Sequence, residues 1–231
     1  MTGDGKLAPL IAIVGCDGAG KTKLANDLIA HIGKSRPAEA GYLGEGSSVH
    51  GRKIGRWPFI GAALKAHLEK IADRLRDPDE SIPNAAIARY ALHRSTKRFR
   101  RFEELLEKRR RGIVIVTDRY PQIEVAGLHD GPILAGIATN PGVERIQAEE
   151  RALYARMAAY VPTLAIRLYV DIETSLARKP DHNRDLVALK IASLPSITFN
   201  NATMIDIDTT KMGYGEELTL ATAAVEEALA G

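Results

Sequence analysis

The sequence predicts a three-layer α/β domain with about five parallel strands and helices on both faces. Short apolar runs alternate with segments of helical periodicity along the whole chain, and parallel neighbours need such crossover connections. The run "IVIVT" (Ile113 to Thr117) is apolar and mostly β-branched, as expected of a strand buried on both faces of a parallel sheet. A glycine-rich loop, "GCDGAGKT", joins the first apolar run to the first helix.

In chain order, the first strand is read at Leu10 to Val14, the first helix from Lys21 to about Ile32, and a short strand near Gly41 to Leu43. After the Gly-rich loop "GEGSSVHGRKIGR", a helix is expected from about Phe59 to Leu75, stopped by "RDPDESIP". A long helix follows from Asn84 to Arg111, with Gly112 where a left-handed cap residue belongs. Beyond "IVIVT" and "DRYP", a loop from Leu128 to Gly142 leads to a helix near Val143 to Tyr160 and the strand "TLAIRLYV". A short helix after Asp171, the basic turn "ARKPDHNRD", a helix to about Ser193, the strand "TMIDI" and a helix to Ala230 end the pattern.

At 231 residues, with 45% apolar and 26% charged residues, the chain suits one packed domain. A short flexible N-terminus (1–8) and a lid-like segment near 178–192 are the expected departures from a compact body. No apolar run is long enough to span a bilayer, and "MTGDGKLAPL" lacks a signal-peptide pattern. No membrane partner and a cytoplasmic location are expected. Cys16 is the single cysteine, so no internal disulfide can form. A net charge of +3 is too small to call for a nucleic-acid partner.

"GCDGAGKT" fits the G-x-x-x-x-G-K-[ST] pattern over Gly15 to Thr22, and it lies where the mechanism needs it, between a strand and a helix. The glycines Gly15, Gly18 and Gly20 let successive N–H groups turn toward phosphates, with Cys16, Asp17 and Ala19 between them. The helix N-terminus adds partial positive charge. These features read as an ATP-binding cradle on a P-loop NTPase fold. Lys21 would follow charge on the donor phosphates, and the Thr22 hydroxyl would ligate Mg²⁺. Cys16 reads either as an inert loop thiol or as one acidified by the helix end.

"VTDRYP" lies at the C-terminal end of the Ile113 strand, where α/β sheets bind their ligands. Asp118 reads as a carboxylate serving the Mg²⁺ shell, or alternatively as a helix N-cap. Arg119 offers a planar fork for a phosphate or carboxylate of a second substrate, or alternatively a structural ion pair. Taken together, "GCDGAGKT" and "DRY" about a hundred residues later resemble the thymidylate kinase family of nucleoside monophosphate kinases.

The resemblance implies that Asp17 contacts the acceptor sugar hydroxyl, that Arg119 grips the acceptor phosphate, and that Asp118 serves the metal and the acceptor. It also implies an aromatic and an arginine from the long helix at the acceptor, for which Tyr90 and Arg94 are candidates, with Arg98 one turn on. Tyr120 completes the candidate acceptor set, and a homodimer is implied. The lid segment "LARKPDHNRDLVALK" supplies Arg178, Lys179 and Arg184 as cations to close over the transferring group, or reads as a solvated turn. His182 has no second His or Cys at ligand spacing, which argues against a metal site.

Where the family carries Arg-Glu-Pro-Gly, this chain has "LGEGSSVHGRKIGR"; after "DRY" it reads "PQIEVAG"; and the lid lacks an Asp-Arg-x-Glu pattern. All three departures lie on the acceptor side, while the donor side is intact. The expected activity is therefore ATP- and Mg²⁺-dependent transfer of a γ-phosphoryl group to a nucleoside monophosphate or related phosphorylated small molecule. A kinase of a neutral hydroxyl compound is the alternative enzyme. A nucleotide-dependent switch is the alternative of another class, although neither an Asn-Lys-x-Asp nor a Leu-Ser-Gly-Gly motif is present.

Overall fold

The computed structural model describes residues 7–44, 70–72 and 74–230. Residues 1–6, the loop "EGSSVHGRKIGR" and most of the helix expected from Phe59 lie outside them; 70–72 and 74–76 are helical. Among the described residues the sheet has five strands, all parallel. They are β1 (Leu10–Gly15), β2 (Ala38–Ala40), β3 (Val114–Thr117), β4 (Leu164–Tyr169) and β5 (Met204–Asp208), in the order β2-β3-β1-β4-β5. The helices are α1 (Lys21–Ile32), α2 (Ala85–Arg110), α3 (Pro141–Ala158), α4 (Ile172–Arg178), α5 (Arg184–Ser193) and α6 (Tyr214–Ala230).

β1 is central and fully buried, and its alternating side chains divide the core in two. Ile11 and Ile13 pack with Leu24 and Leu28 of α1 and Val225 of α6. Leu10, Ala12 and Val14 pack on the opposite face with Phe102 of α2 and Tyr154 and Met157 of α3. This is the predicted three-layer arrangement, with α1 and α6 on one side and α2 and α3 on the other.

Local signals fix the helix ends. Asn84 and Asn140 each accept two backbone N–H bonds, Asp171 and Asn183 one each, as N-caps. Gly112 follows α2 with φ 81, as the cap reading required. α1 differs: Gly20 precedes it and no side chain caps it, which leaves its N-terminal end facing the glycine loop.

One strand is displaced from expectation. β2 lies at Ala38–Ala40, not Gly41 to Leu43, because the ladder pairs Ala38 with Val114 and Ala40 with Val116. Only the Gly41 N–H continues it, donating to the Val116 carbonyl at 2.8 Å. Lys108 of α2 reaches back to Glu39 at 2.6 Å across this edge.

Between β3 and α3 the chain builds an irregular segment, 121–140, held by buried side chains and by a short parallel bridge between Ser81 and Ile137. The Gln122 amide donates to the carbonyls of Val125 (2.7 Å) and Leu128 (2.9 Å). Gln147 of α3 donates to the carbonyls of Leu134 and Gly136, and Glu150 accepts from the Leu134 N–H. Gln122 and Glu150 are fully buried and Gln147 nearly so, so these bonds are shielded from water. At its tip, His129 and Asp130 both have positive φ, 45 and 64. Two consecutive non-glycine residues in this region cost energy that the anchors must offset.

Candidate active site

The C-terminal ends of β1 and β3 open onto a cleft whose described lining encloses about 1450 Å³. That exceeds the ~300–1,000 Å³ typical of a single-ligand pocket. The first half is the glycine loop. A Cβ on Gly18 (φ 82) would lie 2.9 Å from the Ser175 carbonyl oxygen, so α4 leaves space only for glycine here. Ser175 itself donates to the Asp17 carbonyl at 2.7 Å, which ties the loop to α4.

Lys21 lies along the loop, its ammonium donating to the carbonyls of Gly15 and Cys16, each at 2.8 Å. Burial pushes its pKa down, with Asp17 acting in the other direction. The Thr22 hydroxyl donates to Asp118 Oδ2 at 2.6 Å. This bond, between residues 96 apart in sequence, joins the end of the loop to the end of β3. Asp118 is therefore not a helix N-cap; no helix follows it until α3. One hydroxyl and one carboxylate fit Mg²⁺, which takes few protein ligands beside phosphate oxygens and waters. Among the described residues no group of three or more His, Cys, Asp or Glu could hold a metal by itself. His182 instead places Nδ1 3.5 Å from Asp17 Oδ2.

The second half holds the charged groups of α5, Arg119 and the 121–140 tip. Asp17 does not stand alone in the cleft: Lys190 of α5 donates to its Oδ2. Burial would raise the Asp17 carboxyl, but Lys190 and Lys21 outweigh it and hold the group well below the ordinary carboxylate range. Arg119 is half-exposed toward the cleft, with Nη1 3.4 Å from Asp130 Oδ1. Asp130 raises the Arg119 pKa further above its ordinary value, against the effect of burial. Lys190 and Asp130 lie in the lid stretch and the Leu128 to Gly142 loop marked by the sequence, but neither was singled out as a site residue. Lys190 shares a face of α5 with Asn183, Leu186 and Ser193, and this helical spacing was the available signal.

Several expected site residues sit elsewhere. Arg184 pairs with Glu173 on the surface and does not line the cleft, because it starts α5 on the face away from Lys190. Arg178 braces the loop from outside, donating to the Gly18 carbonyl at 3.0 Å and to Thr209. Tyr120 is 2% exposed; it packs between Phe102 and Phe199, and its hydroxyl donates to the Tyr160 carbonyl. It is a core residue, not an acceptor contact. Tyr90 is 63% exposed, and neither it nor Arg94 is among the residues lining the cleft.

Arg98 does reach the cleft wall, but its guanidinium is buried and donates to the Asp130 carboxylate and carbonyl and to the Tyr154 hydroxyl. Cys16 is 1% exposed, and burial pushes its thiol pKa up despite the nearby Lys21, which rules against the acidified-thiol reading.

No family model matches the chain. It is 38% identical over 201 residues to the "Uncharacterized ATP-binding protein YghS" of Escherichia coli (strain K12), covering 86% of this chain and 85% of that protein. It is 35% identical over 223 residues to the "Uncharacterized ATP-binding protein YghR" of the same strain, covering 94% and 86%. Among solved structures, thymidylate kinase from Candida albicans superposes with a TM-score of 0.53 at 17% identity, over 96% of this chain and 92% of that one. The chain thus belongs to the family of the ATP-binding proteins YghS and YghR, and carries the P-loop fold of thymidylate kinase.

Proposed function

We propose that this protein is an ATP-dependent phosphotransferase that moves a γ-phosphoryl group onto a small acceptor held in the cleft. The observation that carries the reading is the Thr22 hydroxyl bonded to Asp118 at 2.6 Å, beside a lysine seated on a glycine loop. The loop amides and Lys21 take the donor phosphates, and Thr22 with Asp118 would hold Mg²⁺. Bound Mg²⁺ would supply neutralisation of phosphate charge.

The protein's own part is positioning and fixed charge. Lys21 exchanges its bonds to loop carbonyls for bonds to phosphate oxygens. Lys190 and Lys179 face the cleft from the lid side and add positive charge where transfer spreads negative charge. The acceptor oxygen forms the new bond to phosphorus, the bond to the β–γ bridging oxygen breaks, and its electron pair leaves with ADP. A hydroxyl acceptor releases its proton to solvent or to a cleft carboxylate. No covalent protein intermediate is needed.

The likeness to thymidylate kinases points to a nucleoside monophosphate as acceptor, gripped by Arg119. A second reading, an uncharged hydroxyl compound, is favoured by Asp130 beside that arginine. A coupled ADP-release screen with ATP, Mg²⁺ and a panel of nucleoside monophosphates, nucleosides, sugars and sugar phosphates tests the proposal. At least one acceptor should stimulate turnover, and Lys21→Ala should abolish it. Nucleotide binding with no stimulation across the panel would place the chain among switches, and undiminished turnover in Lys21→Ala would sink the assignment.

A further inference from the structure

We infer that Asp130 is the specificity-determining residue of the acceptor half, and that it selects an uncharged, hydroxyl-bearing acceptor against a phosphorylated one. The inference rests on the phosphotransferase reading and names its substrate class. Its basis is the convergence of two guanidinium groups on one carboxylate oxygen: Arg98 Nη2 lies 2.9 Å from Asp130 Oδ1, and Arg119 Nη1 lies 3.4 Å from the same atom. Two arginines aimed at one oxygen form an anion seat. Here the chain supplies the anion itself.

The seat is not readily vacated. Arg98 is 2% exposed, and besides Oδ1 it donates to the Asp130 carbonyl at 3.1 Å and to the Tyr154 hydroxyl at 3.0 Å. Withdrawing Asp130 would separate a buried charge from its counter-ion, a costly step. The tip is also braced: Gln122 holds the carbonyls of Val125 and Leu128, and His129 Nε2 bonds the Lys190 carbonyl of α5 at 2.8 Å. Asp130 is thus a fixed wall of the cleft, not an arm that swings aside.

The surrounding charge points the same way. The described lining carries six carboxylates, Asp17, Asp77, Asp79, Asp118, Asp130 and Asp185, and an equal number of Lys and Arg side chains. A bound triphosphate engages the loop and lid cations, and Arg98 and Arg119 are already engaged with the Asp130 carboxylate, so a second phosphate gains far less from them than from an empty pair of arginines. An uncharged acceptor needs no vacant arginine pair. Asp130 and Arg119 side by side offer it a carboxylate and a guanidinium, an acceptor and a donor for neighbouring hydroxyls.

The test compares matched ligands by equilibrium binding, in the presence of Mg²⁺ and a non-hydrolysable ATP analogue, with thymidine and thymidine monophosphate as probes. The wild-type protein should bind the monophosphate no more tightly than the nucleoside. In Asp130→Asn the monophosphate should gain about tenfold or more in affinity, as like-charge repulsion is removed. A wild-type preference of tenfold or more for the monophosphate, or no gain in the variant, overturns the inference.

Should Asp130→Asn fail to fold, Arg98→Met combined with Asp130→Asn removes the buried charge with its counter-ion and is read in its place. Failure of the phosphotransferase reading would show separately, as the absence of acceptor-stimulated ADP release from every class.

Discussion

Replacing Asp130 with Ala should cost about 3–5 kcal/mol of folding stability, the usual penalty for removing one member of a buried ion pair. Arg98 is 2% exposed and Asp130 15%, so water from the cleft replaces the lost carboxylate poorly at the guanidinium. The 2.9 Å contact to Oδ1 disappears outright. The 3.1 Å contact to the Asp130 carbonyl survives only if the tip keeps its left-handed backbone, which Ala tolerates less well than Asp. In a chain of this size each kcal/mol lowers Tm by about 2–4 °C, so the midpoint should fall by roughly 6–20 °C.

Urea unfolding of the wild type, Asp130→Ala, Arg98→Met and the double variant supplies the cycle. Because the double variant removes both charges, it should be less destabilised than the sum of the single variants and more stable than Asp130→Ala alone. A cost below about 1 kcal/mol for Asp130→Ala, or strict additivity, would refute the reasoning that Asp130 is held in place by a buried charge.

Three further outcomes are expected. Gly18→Ala places a Cβ 2.9 Å from a backbone oxygen at φ 82, so the loop must shift; nucleotide titration should show ATP affinity reduced by about tenfold or more, and unchanged affinity would refute the close fit to α4. Lys190→Met should lower kcat by about a hundredfold, whereas Arg184→Ala, whose partner Glu173 is on the surface, should leave turnover within about twofold of wild type; equal losses would refute the assignment of the lid cation to Lys190. Burial holds the His129 imidazole below its ordinary pKa, so the unfolded chain takes up this proton first; the contribution of His129 is full above about pH 6.5 and declines as pH falls below it. Urea midpoints between pH 7 and 5 should therefore drop less in His129→Gln than in wild type, and identical slopes would refute the buried neutral histidine.

The donor half of the site was legible because its signal is local. Eight consecutive residues, Gly15 to Thr22, carry the cradle, and the strand before and helix after follow from pattern alone. Asp118 was legible for a related reason: it ends an apolar strand, and sheets collect such ends along one edge. In the other half Asp17, Arg119 and Arg98 were legible but their partners were not, because the pairs join distant elements. Asp17 and Lys190 are 173 residues apart, and Arg98 and Asp130 meet only because α2 runs beside the 121–140 segment.

The misplaced residues failed for similar reasons. Tyr120 follows Arg119 directly, but the chain turns after Thr117, and the tyrosine enters the aromatic cluster with Phe102 and Phe199. Arg184 was chosen for its charge and its place in the lid stretch; the phase of α5, which sets the side of the helix each residue faces, favours Lys190 instead. β2 was placed three residues late because Tyr42 and Leu43 look more strand-like than Ala-Glu-Ala, and pairing to β3 overrode that preference.

The 121–140 segment separates foundation from tip. Its anchors, Gln122, Gln147 and Glu150, hold it through its backbone groups, and Glu150 also accepts from the Ser95 hydroxyl of α2 at 2.5 Å, so they constrain its path without regard to which side chains it presents. Its tip residues, His129 and Asp130, make the contacts to α5 and to the arginine pair. A loop built this way can diverge at two positions while its backbone stays put. Relatives with a different acceptor would then differ at 129 and 130, and in the partner of Arg98, before they differ in fold. Under the proposed phosphotransfer, such a segment would let acceptor choice change at its tip while the glycine loop that takes the donor phosphates stays as it is.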